Sequence, residues 1–327
     1  MARFMKKFLL GASVVASVSA IASTPVLAAT MRATNIQFDT DNINTWTYGP
    51  GAPVYDSTGI GGVKRRVLND FNNKGNYEKA KAALTDEYSA TNVEIWTNGE
   101  EVTANKGFSA NFGKNTIKVE SVTKADWASS DLAEKWLNGF LGAYSSILQP
   151  LGLTPTAQQK TDIVNKIKEK GMYSSGDPNI GDLTLDDQTG KLKVDLVGHL
   201  DRASLYATKK NGVYVPKNDP RYDTGNKLLN DALFAVAAAS MKQSKYFQVS
   251  EVAKVTFNGV VDYAFSFFAT DAMAIAGDRG KGDTTSHTGI YTWEKTVAME
   301  VPEPSAMLAL LGLGGLAATK RKQWKKA

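Results

Sequence analysis

The chain has 327 residues with two histidines and no cysteine. Imidazole and carboxylate groups are therefore what it can offer a metal or a proton transfer, and thiolate chemistry is excluded. His199 stands in Gly198-His199-Leu200-Asp201, and His287 closes Asp283-Thr284-Thr285-Ser286-His287. Brought together, His199, His287, Asp201 and Asp283 would make a metal or acid–base site; apart, each histidine is a structural hydrogen-bonding group. No spacing favours the chemistry, because His-Glu-x-x-His, Gly-x-Ser-x-Gly and the phosphate-loop pattern are all missing from the sequence.

Oxygen ligands gather at Asp39, Asp41, Asn42 and Asn44, and again at Asp177, Asn179, Asp182, Asp186 and Asp187. Calcium takes such ligands, yet neither run has the EF-hand order, and turn-forming Asx residues produce the same pattern. No metal or other cofactor is assigned; His199, His287, Asp177 and Asp182 are the residues a metal would draw on. Trp46 and Tyr48 stand two apart among Asn44, Thr45 and Thr47. Such a pair is either a stacking platform for sugar or the buried face of a strand. Gly59-Ile60-Gly61-Gly62 before Lys64-Arg65-Arg66 lacks the Gly-Lys-Ser/Thr ending of a phosphate loop.

The elements that must position these residues follow from periodicity. Residues 29–63, rich in Asn, Thr, Gly and Pro, suggest short strands with long loops, and a helix is expected over 77–85. Val93 to Glu100 reads as a strand entering an Asn98-Gly99 turn, and 116–122 as another strand. Asp131 with Glu134 is placed to cap a helix carrying Leu132, Trp136, Leu137, Phe140, Leu141, Tyr144, Ile147 and Leu148 on one stripe. Thr154-Pro155 opens a second helix that Gly171 closes, giving an antiparallel helical hairpin within segment 127–170. Leu183 and Leu185 face Leu192, Val194 and Leu196 across a polar turn, and a helix runs over 227–241. Strands 253–257 and 261–267 flank Asn258-Gly259, and alternation resumes at Tyr291. The fold class is α+β: an antiparallel sheet of hairpins packed against a helical hairpin and one further helix, in one domain over 29–300.

Both flanks of that domain are addresses. Arg3, Lys6 and Lys7 precede an apolar run from Phe8 to Ile21, and Val26 and Ala28 supply the small residues of a cleavage site. This is the order of a secretory signal peptide, residues 1–28, cut after Ala28 by signal peptidase once the Sec machinery has engaged it. At the other end, Val301-Pro302-Glu303-Pro304-Ser305 leads into apolar residues 306–318 and then Lys320, Arg321, Lys322, Lys325 and Lys326. Thirteen helical residues span about 20 Å against about 30 Å of hydrocarbon, so an N-terminal signal helix and a short C-terminal apolar helix are expected to flank the domain. The five cations resist translocation and act as a weak stop-transfer signal.

The order Pro302-Glu303-Pro304, short Leu/Gly/Ala helix and basic cluster over 301–327 resembles the PEP-CTERM sorting signal of Gram-negative bacteria. The resemblance implies an exosortase that cuts near Pro302-Glu303-Pro304, and delivery to the cell surface or extracellular matrix in an exopolysaccharide or biofilm context. Removing both addresses turns the formal charge of +5 into 30 Lys plus Arg against 33 Asp plus Glu over about 276 residues. A nucleic-acid partner then lacks the cationic surface it needs. A non-catalytic structural or binding protein, with exopolysaccharide as partner, is the leading expectation. The alternatives are a secreted polysaccharide hydrolase, which would need paired carboxylates, and a single-pass membrane-anchored surface protein.

Overall fold

The computed structural model describes residues 30–41, 43–46, 54–56, 64–68, 75–86, 91–95, 102–172, 175–272, 274–276 and 287–299. In chain order, the first part holds β1 (Thr30–Arg32), β2 (Thr34–Phe38), β3 (Asn44–Trp46), β4 (Val54–Asp56), β5 (Lys64–Leu68), α1 (Tyr77–Thr85), β6 (Asn92–Glu94), β7 (Gly107–Phe112) and β8 (Asn115–Glu120). The middle is helical, with α2 (Lys124–Ser129), α3 (Leu132–Ala143), α4 (Ser145–Leu148) and α5 (Ala157–Lys170). There follow β9 (Asn179–Asp186), β10 (Lys191–Gly198), α6 (Ala203–Tyr206), β11 (Ala207–Lys210), β12 (Val213–Pro216) and α7 (Lys227–Gln243). The chain then returns through β13 (Ala253–Phe257), β14 (Val260–Ala264), β15 (Thr270–Asp271), β16 (Ala274–Ala276) and β17 (Gly289–Thr296).

Alternation fixes the central hairpin as expected: Leu185 pairs with Leu192 and Leu183 with Val194. The expectation of one principal sheet is corrected. Seven strands form one sheet in the order β15-β17-β10-β9-β6-β3, with β1 also on β9, and five form a second in the order β14-β13-β8-β7-β2. Their apolar faces share one core, in which Leu183, Leu192, Val194 and Tyr291 of the first sheet meet Phe108, Val119, Val255 and Phe257 of the second, with Leu84 of α1. Period-2 patterning tells which side of a strand is apolar and is silent on which sheet the strand joins. β11–β12 and β4–β5–β16 make two small sheets, the latter with a parallel β5–β16 pair.

The helices make a second core against the five-stranded sheet, where Trp127, Trp136, Phe140, Ile163, Ile167, Leu233 and Phe247 surround Tyr263 and Phe267. Trp136 and Phe140, one turn apart, stack at 5.6 Å. Phe265 and Phe267, expected on a strand, lie beyond the end of β14 and turn into this core. Gly139 is required there, since a Cβ would sit 2.6 Å from the Phe267 ring. Helix starts also differ from expectation. Asp131 makes no side-chain cap; the capping box belongs to Thr123 and Asp126 at α2, and α5 is capped by Thr156 with Gln159 rather than by Thr154. Pro155 therefore precedes the cap. Gly171 closes α5 as expected, and Asn258-Gly259 makes its hairpin turn with both φ positive.

Asp126 ties the two cores together. It is 6 % exposed and accepts from Thr123 N at 2.9 Å, Asn105 Nδ2 at 2.7 Å and Lys254 Nζ of β13 at 2.9 Å. Burial alone would raise its pKa, but the bonds from Asn105, Lys254 and Thr123 outweigh burial and hold it below the usual carboxylate value. Asp262 of β14 makes a second tie, bonded to Lys135 of α3 at 2.9 Å and to Lys295 of β17, and its pKa is lowered in the same way. The signal peptide, the Asn98-Gly99 turn and the C-terminal apolar segment lie outside the described residues. Asp126→Ala is expected to cost about 3–5 kcal/mol, because it strands Lys254 and two N–H donors. Because both native carboxylate pKa values are depressed, their contribution is present above about pH 4 and is lost as pH falls toward the native values. Melting curves of wild type and Asp126→Ala between pH 3 and 7 check both statements: the difference should be full at pH 7 and shrink in acid.

Candidate functional site

His199 and His287 come to one end of the seven-stranded sheet, where Thr288 N bonds Gly198 O at 3.0 Å and Thr288 Oγ1 accepts from Leu200 N at 2.9 Å. The His199 carbonyl accepts from the Tyr291 hydroxyl at 2.5 Å, and His287 is buried. Asp177 lies toward the same end, two residues before Asn179, which pairs with Val197. Asp182 does not join them: it pairs with Asp195, four residues or about 13 Å along β10 from His199. Asp201 accepts instead from Phe247 N and Ala203 N, and Asp283 lies outside the described residues. Among the described residues no three of His, Asp and Glu gather to hold a metal ion. Trp46 ends β3 opposite Asn92, and Tyr48 lies outside the described residues. Lys64, Arg65 and Arg66 form β5 between β4 and β16.

Among the described residues, the structure brings together a buried pair of carboxylates on neighbouring strands that spacing did not reveal. Asp182 and Asp195, 7 % and 1 % exposed, sit side by side on the face of β9–β10 away from the sandwich core. Lys193 Nζ lies between them, 3.4 Å from Asp182 and 2.8 Å from Asp195, while Arg32 reaches Asp182 at 2.9 Å and Thr292 Oγ1 donates to Asp195 at 2.6 Å. Burial pulls the Lys193 pKa down, but the hydrogen bond and charge of Asp195, and then Asp182, carry it above the ordinary lysine value. An ammonium therefore fills the space a glycosidase needs for sugar or water. The outward positions of two alternating strands, once paired, were the signal for this cluster.

A different place is open to a ligand. The 3-10 turn Pro220–Tyr222 separates two adjoining hollows of about 310 and 370 Å³. Tyr206 and Tyr222 line both, with ring centroids 5.5 Å apart. Lys124 of α2, Lys170 of α5, Arg221 and Asp223 border the first hollow, and Lys217, Asp219 and Asp223 the second. Arg221 lies 5.6 Å from the Tyr222 ring and forks onto Asp219. The loop is set against α7, since Asn230 accepts from Thr224 Oγ1 at 2.8 Å and donates to Asp223 at 2.6 Å. Below it, Arg202 is buried; burial lowers its pKa, but Tyr206, Glu251 and Tyr291 outweigh that and raise it. Tyr206 is raised by the same burial, against the pull of Arg202. Aromatic faces rimmed by cations can stack on a sugar ring while pairing with an acidic substituent. Lys124, Tyr206 and Tyr222 carry no common spacing, so nothing in the sequence joined them.

Residues 300–322 match the PEP-CTERM protein-sorting motif. The chain is therefore an exosortase-processed protein, exported by Sec and destined for the cell surface or exterior. No curated protein and no solved structure matches it. Among the described residues no helix is long and apolar enough to cross a membrane. Lys193→Met should leave two facing buried carboxylates without their shared counter-charge. We expect a loss of about 3 kcal/mol or more, read as a lowered melting temperature at pH 7 and recovered in part by adding Asp195→Asn.

Proposed function

We propose that the mature domain is a non-catalytic binder of acidic exopolysaccharide, delivered to the cell surface or its surrounding matrix by exosortase processing, in a biofilm setting. The sorting motif at residues 300–322 supports the route. The hollow beside Tyr206 and Tyr222, where Lys124, Lys170 and Arg221 outnumber Asp223, carries the binding reading. Tyrosine faces supply contact area at low entropic cost, and the lysines and arginine attract carboxylated sugars over neutral ones. Its openness to solvent on the protein surface suits a chain that passes along it rather than a small molecule enclosed by it.

The hydrolase alternative has less support, because the paired carboxylates Asp182 and Asp195 hold a lysine between them. A lasting membrane anchor would require the tail to survive processing.

Titration calorimetry with oligouronates and with neutral gluco-oligosaccharides tests the binding. Oligouronate should bind and weaken as salt rises, the neutral sugar should bind far less, and Tyr222→Ala or Lys124→Ala should each weaken the oligouronate by about tenfold. Equal binding of both sugars, no heat from either, or an unchanged affinity in both variants would overturn the reading.

A further inference from the structure

Both ends of the mature chain leave the sandwich at the same place. Met31 of β1 pairs with Leu185 of β9, Leu185 with Leu192 of β10, and Leu192 with Lys295 of β17. One residue further along this row, Thr30 stands beside Asp186, and Lys191 beside Thr296. From here the chain runs N-terminally toward Ala28 and C-terminally toward Pro302. The two departures are three strand spacings apart, about 14 Å.

The links to the two processing points are short. Thr30 is two residues from Ala28, at most about 7 Å of chain. At the other side Val297 N is bonded to Gly190 O at 2.9 Å, and the Ala298 carbonyl accepts from Asn258 Nδ2 of the other sheet at 3.4 Å. Pro302 is four residues beyond, about 14 Å at full stretch, and apolar residue Ala306 eight residues beyond, about 29 Å. Such links hold this end of the folded domain within about 29 Å of the inserted tail.

The same end carries apolar surface. The Asn258-Gly259 turn is tied to Thr116 N and to Asn115, next to the Gly113-Lys114 turn. Immediately after it on edge strand β14, Val260 is 66 % and Val261 49 % exposed.

From this topology we infer that the end of the sandwich bearing the 113–114, 186–190 and 258–259 turns is the membrane-facing surface of the precursor, resting against the lipid headgroups while exosortase works on Pro302-Glu303-Pro304. The inference rests on the export and sorting reading. It adds that signal peptidase and exosortase address one face of a domain that can complete its fold while tethered at both ends. β1 and β17 close their pairings without either end crossing the sandwich.

The chain has no cysteine, so single labels are unambiguous. Full-length precursor carrying the tail, with Lys114→Cys, Gln188→Cys or Phe268→Cys, is labelled with a fluorophore and bound to phosphatidylethanolamine–phosphatidylglycerol vesicles bearing a headgroup-attached quencher. All three positions are exposed. Phe268 stands two residues before Thr270, which pairs with Ile290 six residues, or about 20 Å, along β17 from Thr296. Labels at 114 and 188 should be quenched at least about two-fold more than the label at 268, given that separation. Equal quenching, or stronger quenching at 268, overturns the orientation and leaves the sorting reading standing. A precursor that does not associate with the vesicles overturns both.

Discussion

A buried carboxylate needs donors, and in this protein the donors that satisfy Asp126 come from three parts of the chain. Thr123 closes the turn before α2, Asn105 fixes the loop before β7, and Lys254 reaches across from β13. Each would be a costly buried polar group without the carboxylate, and the carboxylate would be costly without them. The consequence is a fixed relation between the sandwich and the helical layer. Trp127 and Lys124 flank Asp126 on α2, so the border of the tyrosine groove is set by the same bond network. α5 packs on α2 and brings Lys170 to that border, and the missing Cβ of Gly176 lets Val122 approach closely enough for its N–H to donate to the Gly176 carbonyl at 2.7 Å.

Local patterning carried much of the fold. The β9–β10 and β13–β14 hairpins, α1 and the extent of α7 to within two residues were legible because alternation, an Asn-Gly turn or a 3.6-residue stripe stood in consecutive residues. The division into two sheets was not legible, since β8 pairs with β13 more than a hundred residues away. The hairpin β11–β12 carries the same Asn-Gly signal, at Asn211-Gly212, but its flanking strands are short, with exposed Lys209, Lys210 and Val213 giving no buried face to read. Asp131 and Glu134 had the spacing of a capping box, yet Thr123 and Asp126 had it too, and tertiary donors decided which was used. The groove was the least legible part, because Lys124, Lys170, Tyr206 and Tyr222 meet only through packing of separate elements.

The addressing segments behave oppositely. They are linear signals read by other proteins, so spacing and order in the sequence suffice for them. The positive charge of the whole chain belongs to those segments, and the domain they deliver is mildly acidic.

The most direct measurement is the intact mass of the native protein recovered from cells with and without exosortase. With the enzyme, the account predicts a surface or extracellular chain that begins at Ala29 and ends before the apolar run at Ala306; without it, a membrane-bound chain that also begins at Ala29 but retains Trp324 and Lys326. A chain that keeps Lys326 in both cells, or loses it in both, would contradict the account.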